Sequence, residues 1–194
     1  FVTFNYTELF GSSLTYRLYW KTFQLAFWAW LVCLIVGYAV AYVLAFHVKT
    51  LRWQIILFLI CTIPFWTSNI IRMIAWIPVL GRHGLVNSAL MGMGLIDEPI
   101  EWLLFSPFAV ILAFVHLYAL FMIVPIFNTM MRINPEIIEA AKDQGAKGWQ
   151  SLAYVIFPLT LPGVIIGTIF VVSLVMGDFV TVKMMGGGQI ASVG

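Results

Sequence analysis

Residues 22–46, TFQLAFWAWLVCLIVGYAVAYVLAF, contain no charged side chain. A helix needs about 20 mostly apolar residues to cross the hydrocarbon of a bilayer, because every backbone N–H and C=O in lipid must be bonded within its own segment. This stretch meets that requirement, so lipid becomes the reference solvent for what surrounds it.

Working outward, three further stretches meet the same test. Residues 53–80 form the second, with Pro64, Asn69, Arg72 and Pro78 making its far end polar and irregular. Residues 107–131 form the third, in which only His116, Pro125 and Asn128 interrupt the apolar run. Residues 149–182 form the fourth, with Pro158 and Pro162 near its start and Asp178 near its end. All four are predicted to be helices. Composition agrees: 62% of the 194 residues are hydrophobic and 9% charged, against about 25% charged in a soluble domain. Mean hydropathy is +1.01. The predicted fold class is all-α, a polytopic transmembrane helical bundle.

Charge and cysteine usage exclude several classes. A net charge of +2 with dispersed Lys and Arg offers no basic track for phosphates, so nucleic acid is not an expected partner. Cys33 and Cys61 both lie in apolar stretches and read as small buried hydrophobes rather than a disulfide. His47, His83 and His116 lack metal-ligand spacing, so no metal is expected. Gly92-Met93-Gly94 and residues 186–188 lack the lysine-containing ending of a phosphate-binding loop, so this chain is not expected to hydrolyse ATP. Asn5-Tyr6-Thr7 fits a glycosylation pattern too short to carry weight.

Lys and Arg concentrate in cytoplasmic loops. Residues 47–52 contain Lys49 and Arg52, and residues 132–148 contain Arg132, Lys142 and Lys147, so both connectors are placed inside. Residues 81–106 carry Asp97, Glu98 and Glu101 against Arg82, and are placed outside. The chain starts at Phe1 and closes soon after Met185, which reads as a fragment truncated at both ends. One span is expected before it and one after, giving six in all. No internal repeat supports an inverted-repeat carrier.

The inner connector has chemistry of its own. In Asn134-Pro135-Glu136-Ile137-Ile138-Glu139-Ala140-Ala141-Lys142-Asp143-Gln144-Gly145, Asn134 suits an N-cap, Pro135 the first helical position, and Glu136 and Glu139 the positive end of the helix dipole. Ile137, Ala140, Ala141 and Gln144 recur at helical spacing, giving one small apolar side opposite Glu136, Glu139 and Asp143. Gly145 is expected to end the helix. Such a knob can transmit motion from a partner, or it can be an ordinary interfacial helix at the headgroups; the residues alone leave both open.

Glu139-Ala140-Ala141, three residues, Gly145, nine residues, then Val155-Ile156-Phe157-Pro158 resembles the EAA loop of ABC importer permeases, whose usual ending is Ile-x-Leu-Pro. Val155 and Phe157 depart from that ending but keep its apolar character. Residues 63–72 (IPFWTSNIIR) and 177–180 (GDFV) resemble segments of the spermidine/putrescine-type permeases. The resemblance implies a non-catalytic permease subunit of the bacterial inner membrane. Its loop around Glu139, Ala140, Ala141, Asp143 and Gly145 would dock into a cytoplasmic ABC ATPase dimer. A second permease subunit and an external solute-binding protein complete the implied assembly, with ATP and magnesium used by the ATPase and no cofactor held here. Polyamine is the first-ranked solute. Iron, sulfate or another small solute is the alternative, and an ion-coupled secondary transporter the rival.

Three residues are candidates for the substrate pathway. Asp178 is an acid at membrane depth, functional by default unless it lies at the outer interface. Trp66, beside the Pro64 break, could stack on a cation or pack against a neighbouring span, packing being preferred. Arg72 is expected to snorkel to headgroups, with a pore-facing or paired position as the alternative.

Overall fold

The computed structural model describes residues 13–48 and 50–188. The Asn5 glycosylation pattern and Lys49 lie outside the described residues. The described chain is helical: α1 (Ser13–Tyr42), α2 (Leu51–Thr62), α3 (Asn69–Leu80), α4 (Leu85–Gly92), α5 (Pro107–Met130), α6 (Pro135–Asp143), α7 (Gly148–Ser151), α8 (Phe157–Gly177) and α9 (Phe179–Met185).

Among the described residues, three continuous helical paths are long and apolar enough to span a membrane: Thr15–His47, Pro107–Met130 and Gly148–Gly177. The second predicted span, residues 53–80, is corrected. It is not one helix: α2 passes into a 3₁₀ turn at Ile63–Trp66, and α3 starts afresh at Asn69. It counts as a span only when the helices on both sides of the break are taken together. Pro64 lacks an amide donor and Ser68 has extended geometry ahead of α3 (ψ 136°), which is how a helix stops and restarts within a few residues. The first span also starts earlier than expected. At 30 residues α1 is roughly 45 Å long against a hydrocarbon core of about 30 Å, so its polar first turns around Arg17 and Lys21 project beyond it. The fourth span ends at Gly177 rather than 182.

The chain divides into two compact units. One gathers the described residues up to Ala29, Thr67–His116, and those from Leu174 onward; the other gathers Trp30–Trp66 and Leu117–Ser173.

In the second unit the second halves of α1 and α5 pack with α8 through missing side chains. A Cβ on Gly37 would sit 2.8 Å from Met122 Cγ, and one on Gly167 would sit 2.6 Å from Met122 Sδ. Gly163 lies against the Pro125 carbonyl oxygen in the same way, at 2.5 Å. Gly163 and Gly167 form the small-xxx-small spacing that lets membrane helices approach closely, and they leave Met122 and Ile126 fully buried. Polar links add to this seam: Trp30 Nε1 donates to Thr168 Oγ1 at 2.9 Å, and Tyr38 Oη lies 3.2 Å from Thr160 Oγ1. The short turn after α1 is tied by Gln54, whose Nε2 donates to the carbonyls of Leu44 (3.2 Å) and Val48 (2.9 Å). Leu44 lies in the π-helical turn Val43–His47 that closes the α1 path and Val48 is the extended residue after it, where backbone acceptors lose their helical partners.

In the first unit a buried Asn87 on α4 holds the loop before α5. Its Nδ2 donates to the Gly81 and Ile100 carbonyls, both at 3.1 Å, and its Oδ1 accepts the Ile100 N–H at 2.9 Å. Such a buried amide is tolerated because its donors and acceptor are bonded. Arg82 and Glu101 make an exposed ion pair at 3.3 Å. Trp76 Nε1 donates to His116 Nδ1 at 3.0 Å, an exposed polar contact between α3 and α5.

Candidate coupling site

The connector after α5 folds as expected, into a short surface helix closed at both ends. Asn134 accepts the Glu136 N–H through Oδ1 at 3.1 Å, and its Nδ2 donates to Glu136 Oε2 at 3.1 Å. Pro135 occupies the first helical position, Glu136 the first turn and Lys142 the last, in keeping with the dipole. At the other end Gly145 takes φ +87°. Its N–H donates to the Lys142 carbonyl (2.8 Å), and Ala146 N–H donates to the Ala141 carbonyl (3.0 Å). These two bonds are the paired closures of a Schellman ending, which needs a left-handed residue at this place. Two residues later Lys147 N–H donates to Gln150 Oε1 at 2.7 Å and starts α7, which runs through a π-helical turn at Leu152–Ile156 into α8.

No side chain of α6 is fully buried. Ile138 and Ala141 are half-buried, while Ile137, Ala140 and Gln144 are exposed. The expected small apolar stripe is therefore split: Ala141 turns inward with Ile138, and the open face is Ile137, Ala140 and Gln144. Adjacent isoleucines made the inward one ambiguous by periodicity. Glu139 and Asp143 are exposed. Glu139 also borders a cavity of about 380 Å³ walled by Ile138, Lys142, Ser151 and, at the end of the α1 path, Phe46 and His47. An outward stripe of one isoleucine and one alanine, flanked by an acid, can receive a partner that brings a small apolar surface and a cation.

The substrate-pathway candidates fare differently. Asp178 does not lie within the fourth span. It is the non-helical residue after Gly177, and it caps α9: Oδ1 accepts the Thr181 N–H at 3.0 Å and Oδ2 accepts the Thr181 hydroxyl. The apolar run continued past it, so hydropathy could not locate this break, although Asp is a favoured N-cap. Arg72 is only 7% exposed, and its guanidinium donates to Asn69 Oδ1. Burial replaces the expected snorkelling, because α3 packs against α4 and α9. Trp66 is 84% exposed, so the preferred packing of its ring against a neighbouring span is not made among the described residues. Arg72 and Asp178 belong to the first unit and Trp66 to the second.

The capping geometry makes a prediction. Asp178→Asn keeps an acceptor for the Thr181 N–H and leaves the unfolding temperature of the purified protein near that of the parent. Asp178→Ala removes the cap and lowers stability by about 1 kcal/mol.

Helical spans joined by a capped, exposed surface helix define a polytopic membrane protein. Residues 52–193 match the family described as binding-protein-dependent transport system inner membrane component, and the chain belongs to that family. It is a multi-pass protein of the bacterial inner membrane. It is 34% identical over 191 residues to the spermidine/putrescine transport system permease protein PotB of Haemophilus influenzae, covering 98% of this chain and 65% of that protein. PotB of Escherichia coli strain K12 is 35% identical over 190 residues, covering 98% and 68%. The inner membrane ABC transporter permease protein YdcU of Escherichia coli strain K12 is 27% identical over 194 residues, covering 94% and 61%. A solved bacterial ABC transporter involved in import of the acidic polysaccharide alginate shares the fold with a TM-score of 0.65 at 18% identity, covering 97% of this chain and 65% of that one. The chain thus spans about two thirds of the length of these relatives.

Proposed function

We propose that this chain forms part of the translocation pathway of an ATP-driven importer, with polyamine as the solute. It is non-catalytic: a cytoplasmic ABC ATPase dimer burns ATP with magnesium and grips α6. A second permease subunit completes the pathway, and an external binding protein delivers the solute. The observation that carries this reading is α6 itself. It is fastened by Asn134 and Gly145 yet leaves Ile137, Ala140 and Gln144 open beside Glu139, as a handle for a partner must. The choice of polyamine is supported by the names of the relatives with 34% and 35% identity.

The test is uptake by proteoliposomes holding the full-length subunit with its co-purifying ATPase, second permease and binding protein. Labelled spermidine and putrescine accumulate only with ATP inside, and iron or sulfate does not. Accumulation of iron or sulfate in place of the polyamines would move the protein to another branch of solute specificity. Uptake that follows an ion gradient without ATP would remove the coupling role altogether.

A further inference from the structure

The second unit contains a crevice of about 480 Å³ that the coupling role does not use. One wall is a stripe of α5 comprising Phe121, Val124, Pro125, Asn128 and Thr129, whose spacing keeps them on one helical face, and Arg132 continues it from the turn after the helix. Ile166 and Phe170 of α8 line it from α8, and Phe65 comes from the 3₁₀ turn after α2. The lining is sorted by position. From Phe121 to Pro125 every group is apolar, and the polar side chains Asn128, Thr129 and Arg132 come last along the stripe. From Phe121 to Thr129 the stripe rises roughly 12 Å.

This is the shape of a one-headed amphiphile. We propose that the crevice holds an anionic phospholipid, its acyl chain along Phe121, Val124, Ile166 and Phe170 and its phosphate against Arg132 and the Asn128 amide. Depth supports the placement. Helix α5 has 24 residues, about 36 Å at 1.5 Å per residue, which exceeds a hydrocarbon core of about 30 Å. Arg132, two residues beyond its end and exposed, therefore sits at headgroup level. Charge supports the choice of ligand. Among the described residues of the lining Arg132 is the sole ionisable group, and none is a carboxylate, so the crevice favours an anion and disfavours a polycation. Thr129 adds nothing to headgroup binding, because its hydroxyl donates to the carbonyls of Pro125 (3.1 Å) and Ile126 (2.8 Å). Those bonds attend to carbonyls around the proline and leave Asn128 and Arg132 as the donors available to a phosphate.

The site stands two residues before Asn134, the cap of α6, so a bound headgroup would lie beside the coupling helix. The lipid site itself does not depend on what the protein transports. Its test is native mass spectrometry of the full-length complex released from bilayers of equal phosphatidylglycerol and phosphatidylethanolamine. The parent retains phosphatidylglycerol in preference. Arg132→Gln lowers that retention about fivefold, the effect of one cation beside an anionic surface, whereas Arg132→Lys preserves it. Val124→Phe, which fills the apolar part, lowers retention of both lipids without altering the elution volume of the complex. Equal retention of the two lipids by the parent overturns the proposal. So does retention indifferent to Arg132→Gln, or a cysteine at Phe170 that cross-links to a partner subunit in the assembled complex, since the crevice would then be covered by protein.

Discussion

Gly145→Val reduces ATP-driven uptake by about tenfold or more, whereas Gly145→Asn retains most of it and both variants insert in the membrane normally. A Cβ at Gly145 would meet nothing within 4 Å, so lack of space is not the reason. The reason is φ +87°: a left-handed conformation costs an L-residue roughly 1–2 kcal/mol, more for a β-branched one, while Asn tolerates it. Valine therefore opens the Gly145-to-Lys142 and Ala146-to-Ala141 bonds that close α6. The helix then frays at the turn that carries Asp143, and a shift of about 1.4 kcal/mol is already tenfold in population. Glu139→Arg should fail for a different reason. It leaves both caps in place and reverses the charge offered to the ATPase, so uptake and ATPase binding are lost while the thermal stability of the subunit is unchanged. Proteoliposome uptake together with the unfolding temperature separates the two causes.

The second large effect is expected at the seam between α5 and α8. Gly163→Ala and Gly163→Leu both reduce the yield of folded protein extracted in mild detergent, the leucine more severely. The Cβ itself is what does not fit, since it would lie 2.5 Å from the Pro125 carbonyl oxygen, a backbone atom that cannot swing aside. Overpacking of this kind costs about 1–3 kcal/mol, and here it also disturbs the carbonyl that accepts from Thr129. Gly177→Ala is the matched control, because a Cβ there meets nothing within 4 Å, and its extracted yield stays at the parent level. Equal losses at Gly163 and Gly177 would show that the seam is not what these glycines serve.

What could be read from residues alone divides along a physical line. Features set by neighbours in sequence were legible: the uncharged run of α1, and the closure of α6 by Asn134, Pro135 and Gly145, each of which acts through bonds a few residues away. Features set by distant parts of the chain were not. Arg72 looks like a snorkelling residue until α3 is seen packed on α4 and α9, and the role of Gly163 and Gly167 depends on Met122 and Pro125 of another helix. The spacing of those two glycines was a usable signal that the hydropathy reading passed over. Asp178 falls between these cases. Its capping of α9 is local, but it sits inside an apolar run that reads as one continuous span. The split face of α6 is similar, since Ile137 and Ile138 are adjacent and only packing tells which of them turns inward.

The central claim is that the open face of α6 is covered by an ATPase, and it is tested most directly by thiol labelling. A cysteine placed at Ala140 of the full-length complex is treated with a water-soluble maleimide, with the co-purifying ATPase bound and after it is stripped away; Met93→Cys, exposed on another loop, serves as reference. Labelling at position 140 falls steeply when the ATPase is bound and returns when it is removed, while position 93 is indifferent. Labelling at position 140 that is the same with and without the ATPase would contradict the account.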